Sequence, residues 1–360
     1  MMTTGQESTF EDPTETTPID VIYQTTGRSI MSSAAPRFYL QCALLVVAVV
    51  GTAANALVLY ALIASKQHKK HVLIFNQNVL DFVNCLFTVV VYSVNLSGIY
   101  LSGSLGYWLC MTLLSSVGAW GAYIGSLINL AAISIERYLK VVHHIWANNK
   151  LRDWMIYSTI AFAWIGGIVI SAAVVIPTTA VMNGICYPRV IFKSQAAQKA
   201  YGIWNFMSFY VIILLICIFC YGRILMTLRH QARVMAAHSA GGSNTAQDQS
   251  NKIQTNVIKT MILVSGLYAV TWAPMYTYTA LTNLHPGLTL GKNGMYAVLS
   301  LGYLYTCINP FIYATKFDPV KRVLLGMISC KKNTQFLGGS NNTGTSLVII
   351  RGDQAENVRD

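Results

Sequence analysis

The sequence predicts an all-α membrane protein, a seven-transmembrane helix bundle with a C-terminal amphipathic helix on the inner leaflet. Three observations carry that prediction. The chain is 54% hydrophobic and only 11% charged, where a soluble domain carries about 25% charged residues, so the apolar excess must face lipid. Seven apolar runs, at 38–64, 72–96, 108–142, 154–177, 202–228, 257–281 and 295–315, are each long enough to cross about 30 Å of hydrocarbon. The basic residues are divided unequally between the two sets of loops that these runs create.

Residues 1–37 hold Glu7, Glu11, Asp12, Glu15 and Asp20 and no apolar stretch. They are expected to be a disordered extracellular tail without a cleavable signal, the first span acting as its own signal-anchor. On the side of that tail lie Arg28, Arg37, Arg189, Lys193, Lys199 and Lys292, and the remaining nineteen of the 25 Lys and Arg fall on the other. The positive-inside rule then places the N-terminus outside and the C-terminus in the cytosol of a multi-pass plasma-membrane protein. The same bias accounts for most of the net charge of +12, so no nucleic-acid partner is needed to explain it.

The third run ends in Glu136-Arg137-Tyr138. A carboxylate and a guanidinium at the end of an apolar helix must pair or meet water at the membrane edge. They lie about 26 residues beyond Cys110, roughly 40 Å along a helix, which is a bilayer with its headgroups. One helix thus carries a cysteine at one face of the membrane and an ion pair at the other. That suits signal transmission better than chemistry.

Of eight cysteines, Cys42, Cys85, Cys217, Cys220 and Cys307 fall inside spans and read as small packing residues. Cys110 and Cys186 are placed to meet in the oxidising exterior as a disulfide. Residues 229–255 form the third inner loop, with Gly241-Gly242-Ser243-Asn244 as a flexible centre. The seven spans and their loops make up residues 38–316. Asp318-Pro319 then reads as a helix start, and Phe317, Val320, Leu324 and Met327 recur at helical spacing opposite Lys321 and Arg322. This predicts an amphipathic helix on the inner leaflet over 317–330, with Cys330 beside Lys331 and Lys332 as an acylation site. Residues 331–360 are polar and rich in Gly, Ser and Asn, a disordered cytosolic tail by composition. Arg351-Gly352-Asp353 resembles an integrin-binding tripeptide but falls on the cytosolic side.

Each span also carries one residue pattern that resembles class A (rhodopsin-like) G-protein-coupled receptors, the match running from about Phe38 to Cys330. These are Asn55 after Gly51; Asp81 after Asn76; Glu136-Arg137-Tyr138; Trp164; Tyr221; Trp272-Ala273-Pro274; and Asn309-Pro310-Phe311-Ile312-Tyr313. Singly each is weak, but all seven in order, one per span, are specific. The resemblance implies that Asp81, Ser126 and Asn309 form a polar cluster able to hold sodium in the inactive state, and it implies no other cofactor. It implies that Arg137 pairs with Glu136 at rest and then extends to meet a heterotrimeric G protein, with Ile145 docking into that partner. Trp272 would lie at the floor of a ligand pocket, and Tyr221 and Tyr313 would swing inward in the active state. Pro274 and Pro310 each remove a helical hydrogen bond and kink their spans. A kinked helix can swing its inner end while its outer end stays packed.

Four departures from the family pattern stand out. Two more residues than usual separate Cys110 from Arg137, so the third helix either bulges or is extended outward. Gln254 stands where many relatives have an acid that grips Arg137, which predicts basal signalling. Ile213 replaces the usual proline of the fifth span and Tyr268 the usual phenylalanine of the sixth. Tyr305 replaces a common asparagine beside the sodium cluster.

Carried over position by position, the family's ligand pocket is Ala119, Trp120, Tyr123, Asn205, Met275, Tyr276, Thr279, Leu299 and Tyr303. Ala119 occupies the place of the carboxylate that amine receptors need, and Tyr303 that of the retinal lysine of opsins. The remaining pocket is neutral and aromatic, suited to a neuropeptide or, as the second reading, to a lipid or a melatonin-like neutral small molecule. Arrestin and a receptor kinase are implied as further partners, with Thr334, Ser340, Thr343, Thr345 and Ser346 as phosphate acceptors. A transporter would show repeats and several intramembrane charges, whereas Asp81 stands alone in mid-membrane. An intramembrane enzyme would need paired acids, His-Glu-x-x-His or Gly-x-Ser-x-Gly, and none occurs.

Overall fold

A computed structural model describes residues 18–182, 184–187, 194–238, 245–285, 287–288 and 291–336, with side chains from residue 38 onward in most of these. Seven helical stretches are long and apolar enough to cross a membrane: Phe38–Ala64, Val72–Ser97, Gly103–Val142, Asp153–Thr178, Gln195–Gln231, Thr255–Leu284 and Ala297–Lys316. Every expected span is present, with ends displaced by a few residues. Helix α1 (Pro18–Ala64) is followed by a 3₁₀ turn at Gln67–Lys69 and α2 (Val72–Ser97). The tail expected to be disordered through residue 37 is helical from Pro18, because extending an existing helix costs far less than nucleating one. Residues 1–17 lie outside the described residues.

The third span is built in three pieces. Helix α3 (Gly103–Leu109) runs into a π-helical turn at Cys110–Leu114, and Ser116 then adopts a left-handed φ of 67° before α4 (Val117–Val142). The extra residues between Cys110 and Arg137 are therefore absorbed as a bulge, as π turns commonly do. This span is the most enclosed, 72% of its most apolar stretch being buried against 22% in the fourth. Its closest neighbour is α6 (Asp153–Val175), reached after the short inner helix α5 (His144–Lys150). Glycines set that closeness: a Cβ on Gly167 would lie 2.3 Å from the Gly121 carbonyl oxygen, the small-residue contact by which membrane helices approach.

Beyond the fourth span the all-α expectation meets one exception, a hairpin of β1 (Ala180–Met182) and β2 (Ile185–Tyr187) with Val181 opposite Cys186. Cys186 is bonded to Cys110, as expected. Gly184 turns the hairpin at φ 72°, and its carbonyl accepts from the Leu101 amide at 2.8 Å. Any Cβ there would strike the Tyr100 ring.

The fifth span comprises α7 (Gln195–Phe206), a second π turn at Met207–Val211 and α8 (Ile212–His238). The sixth lies in α9 (Thr245–Leu284) and the seventh in α10 (Gly291–Lys316), with Pro274 and Pro310 inside them. Helix α8 reaches His238 and α9 starts at Thr245, so most of the third inner loop is helical rather than irregular. Its Arg, Met, Ala and Gln favour helix, and Gly241–Asn244 lie outside the described residues. Helix α11 (Asp318–Phe336) continues six residues past the expected end at 330. Phe317 and Val320 are buried, Lys321 and Arg322 exposed, and α11 packs beside α1. The side chains of Gln254, Lys292 and Cys330, residues Arg189 and Lys193, and the tail from 337 with Ser340, Thr343, Thr345, Ser346 and the Arg351–Asp353 tripeptide lie outside the described residues, as does the Thr334 side chain.

Candidate functional site

At the inner end of the third span Glu136 and Arg137 are each only 7% exposed. Arg137 Nη2 stands 3.2 Å from Glu136 Oε2. That approach is electrostatic without hydrogen-bond alignment, since Oε2 and Arg137 Nε have no hydrogen-bond partner among the described residues. The other carboxylate oxygen is held by Lys140 at 2.5 Å, one turn along the helix. Among the described residues the guanidinium has one further contact that the motif does not announce: Nη2 donates to Nδ1 of His71, the residue just ahead of α2, at 3.2 Å. Tyr138 turns away, its hydroxyl 3.0 Å from His143 Nε2. Ile145 is 68% exposed on α5. Tyr221 faces inward, where Ser134 Oγ donates to its hydroxyl at 3.2 Å, and the Tyr313 hydroxyl is buried without a partner among the described residues.

Mid-bilayer, the structure brings Asp81, Ser126 and Asn309 together. Ser126 Oγ donates to Asp81 Oδ1 and Asn309 Nδ2 to Oδ2, both at 3.0 Å. The cluster is larger than the sequence suggested. Gln77 Nε2 donates to Ser126, and Gln77 Oε1 accepts from Asn129 Nδ2 at 2.8 Å. Asn129 Oδ1 accepts from Asn76, whose own Oδ1 takes the Trp164 indole N–H at 3.0 Å. Gln77 and Asn129 were missed because one amide in an apolar run carries no periodic signal, although four residues separate Gln77 from Asp81 on the same helix face. Tyr305 is fully buried beside this cluster with its hydroxyl unpartnered among the described residues.

A cavity opens in the outer half between the third, fourth, fifth and sixth spans. Of the nine residues expected there, Trp120, Tyr123, Asn205, Met275, Tyr276 and Thr279 line it, as does Trp272. Ala119, Leu299 and Tyr303 do not. Ala119 has no reach beyond Cβ, and its carbonyl is taken by Asn84 Nδ2 at 2.8 Å. Leu299 and Tyr303 are buried on the seventh span, and Trp272 packs so tightly on that span that a Cβ on Gly302 would lie 2.9 Å from its ring. Tyr123 stacks on Trp272 at 4.0 Å and shares a 3.1 Å hydroxyl contact with Tyr276. The far wall consists of Ile170, Ser171, Val174, Val175 and Thr178 of the fourth span with Tyr201, Trp204 and Phe209 of the fifth. The fourth span is apolar all round, so no sequence pattern marks its inward face.

The substituted pair in the fifth and sixth spans proves to be a matched one. Tyr268 donates its hydroxyl to the Phe209 carbonyl inside the second π turn, and Tyr210 donates back to the Ala269 carbonyl at 2.9 Å. The fifth span thus keeps a π turn with Ile213 where a proline was expected, and Tyr268 uses its added hydroxyl to satisfy a carbonyl there.

Sphingosine 1-phosphate receptor 1 of Danio rerio is 28% identical over 77% of this chain and 74% of its own length. Somatostatin receptor type 3 of Mus musculus is 25% identical over 86% of this chain and 74% of its own, and the KiSS-1 receptor of Mus musculus 22% over 57% and 54%. Such relatives are receptors, not enzymes. Residues 54–313 match the family described as 7 transmembrane receptor (rhodopsin family), and with seven apolar helices carrying this site the chain belongs to that family of multi-pass membrane receptors.

Proposed function

We propose that the chain binds an extracellular neuropeptide with a neutral aromatic portion and activates a heterotrimeric G protein by outward movement of the sixth helix. The N-terminus faces outside and the C-terminus the cytosol, as the loop charges direct. The observation that carries this reading is the position of Arg137: a buried guanidinium at the inner end of the most enclosed span, neutralised by a carboxylate that it shares with Lys140. A ligand seated against Tyr276 and Met275 shifts the helix that also bears Pro274, and the inner half of that helix uncovers Arg137. Ile145 and Trp146, both exposed, join the contact with the G protein. The somatostatin and KiSS-1 receptors among its relatives support a peptide. The similarity to a sphingosine 1-phosphate receptor keeps a lipid or neutral small molecule, including a melatonin-like one, as the second reading.

Asp81, Ser126 and Asn309 also fit sodium, a hard cation that takes oxygen ligands. They converge within hydrogen-bond distance, and Asn309 Oδ1 has no partner among the described residues. An ion held there favours the closed packing of the second, third and seventh spans. Arrestin and a receptor kinase complete the cycle at the cytosolic tail.

The test is expression with a promiscuous Gα and a screen of peptides and neutral small molecules for a calcium response. Arg137→Ala delivered to the cell surface is expected to abolish the response to every hit, and an undiminished response would overturn the reading. Replacing sodium by N-methylglucamine is expected to raise agonist affinity in the parent and leave Asp81→Asn unchanged; equal affinity in both salts removes the ion.

A further inference from the structure

We propose that His71 is the positioning residue that holds Arg137 in the resting receptor, filling the role left open by Gln254 on the sixth span. The inference rests on the reading of Arg137 as the group that meets the G protein. Arg137 is nearly fully buried, and the nearest carboxylate is divided between two cations, with Lys140 closer at 2.5 Å than Arg137 at 3.2 Å. A buried guanidinium with half a counter-ion needs another acceptor. Among the described residues the one it has is His71 Nδ1, 3.2 Å from Nη2.

An imidazole accepts only when it is uncharged at that nitrogen. The surroundings ensure this. Burial first, then the Arg137 charge, and more weakly Lys140 and Lys70, push His71 down to about 4 against the opposing pull of Glu136. The ring is also fixed in place. It meets the buried Phe317 edge-on at 5.3 Å and 81°, and the His71 carbonyl accepts the Phe75 amide at the start of α2. Arg137 is thereby tied to the second span and, through the His71 ring, to Phe317 at the root of α11. For the guanidinium to extend toward a G protein, this bond must break. His71 therefore sets the ligand-free level of signalling.

Ligand-free nucleotide exchange on a purified heterotrimeric G protein, per receptor at the surface or in nanodiscs, reads this directly. His71→Phe keeps a ring against Phe317 and removes the acceptor; it is expected to raise ligand-free exchange about fivefold, the equivalent of one lost hydrogen bond. His71→Asn, which restores an acceptor without the ring, is expected to stay within about twofold of the parent. Adding Arg137→Ala to His71→Phe is expected to return exchange to the receptor-free rate, which shows that the added exchange runs through Arg137; the His71→Asn arm separates the acceptor from ring packing. Should His71→Phe fold poorly, His71→Leu serves the same arm, with thermal melting as the control. Parent-like exchange in His71→Phe, or a rise in His71→Asn alone, would overturn the assignment and leave ring packing as the role. If Arg137→Ala by itself left agonist responses intact, the underlying reading of Arg137 would fail instead, so the two failures are distinguishable.

Discussion

The sixth helix is held in two ways along its length. At mid-height Tyr268 and Tyr210 cross between the fifth and sixth spans, each donating to a backbone carbonyl of the other helix. At the inner end Asn256 Nδ2 donates to Asp318 Oδ2 at 3.1 Å, joining α9 to the first residue of α11. The upper bonds end on backbone, which cannot rotate away, and the Tyr268 bond is buried where water does not replace it. The lower bond is partly exposed, and water can replace it. The helix is thus built to pivot near Tyr268 and to release at Asn256.

Breaking the frame that both ends depend on should have the largest effect. Gly167→Val places carbon against the Gly121 carbonyl and the Gly125 amide, so surface receptor should fall to near background in a cell-surface immunoassay. Next comes the pivot. Tyr268→Phe removes a buried hydrogen bond between the two spans, and melting of the purified protein should report a loss of about 1.5 kcal/mol. Tyr210→Phe made in the same background should be non-additive if the two bonds form one clasp, which a double-mutant cycle measures. The release point should be weaker: Asn256→Ala should cost about 1 kcal/mol and raise ligand-free exchange a few-fold without altering the melting of the outer half. If Asn256→Ala destabilises as much as Tyr268→Phe, the distinction between pivot and release fails.

The last effect is one of pH, and it is the smallest only near neutrality. His71 titrates at about 4 rather than 6.5 because burial, Arg137, Lys140 and Lys70 outweigh Glu136. The unfolded chain therefore takes up the proton first, and the stability associated with the neutral ring is complete above pH 6.5 and lost as pH falls through about 4. Between pH 7.5 and 6.5 the loss is only about 0.4 kcal/mol, growing to about 3 kcal/mol near pH 4. Melting curves of the parent should show this slope, and His71→Phe should flatten it.

Much of the site was legible in the sequence where chemistry was costly. Asp81 and the Glu136-Arg137 pair stand out because a charge in an apolar run needs a partner, and the Asp81 contacts to Ser126 and Asn309 are those expected. Six of nine pocket positions line the cavity because Trp120, Tyr123 and Tyr276 lie on helices whose register from Arg137 and Pro274 is undisturbed. The fourth-span wall was illegible, since a helix apolar on every face does not reveal which one turns inward. His71 was illegible for another reason: a histidine among Lys66, Lys69 and Lys70 reads as a solvated basic loop.

The sequence by itself determined the number of spans and the groups that carry charge, because span length and burial cost are local properties of a few residues. Only the tertiary structure decided that the extra residues of the third span become a π turn, that Tyr268 answers the fifth-span turn, and that Arg137 leans on a histidine 66 residues earlier in the chain. Those outcomes depend on which faces of separate helices meet. That is fixed by close packing among residues far apart in sequence, at distances where a single methyl or hydroxyl decides the contact.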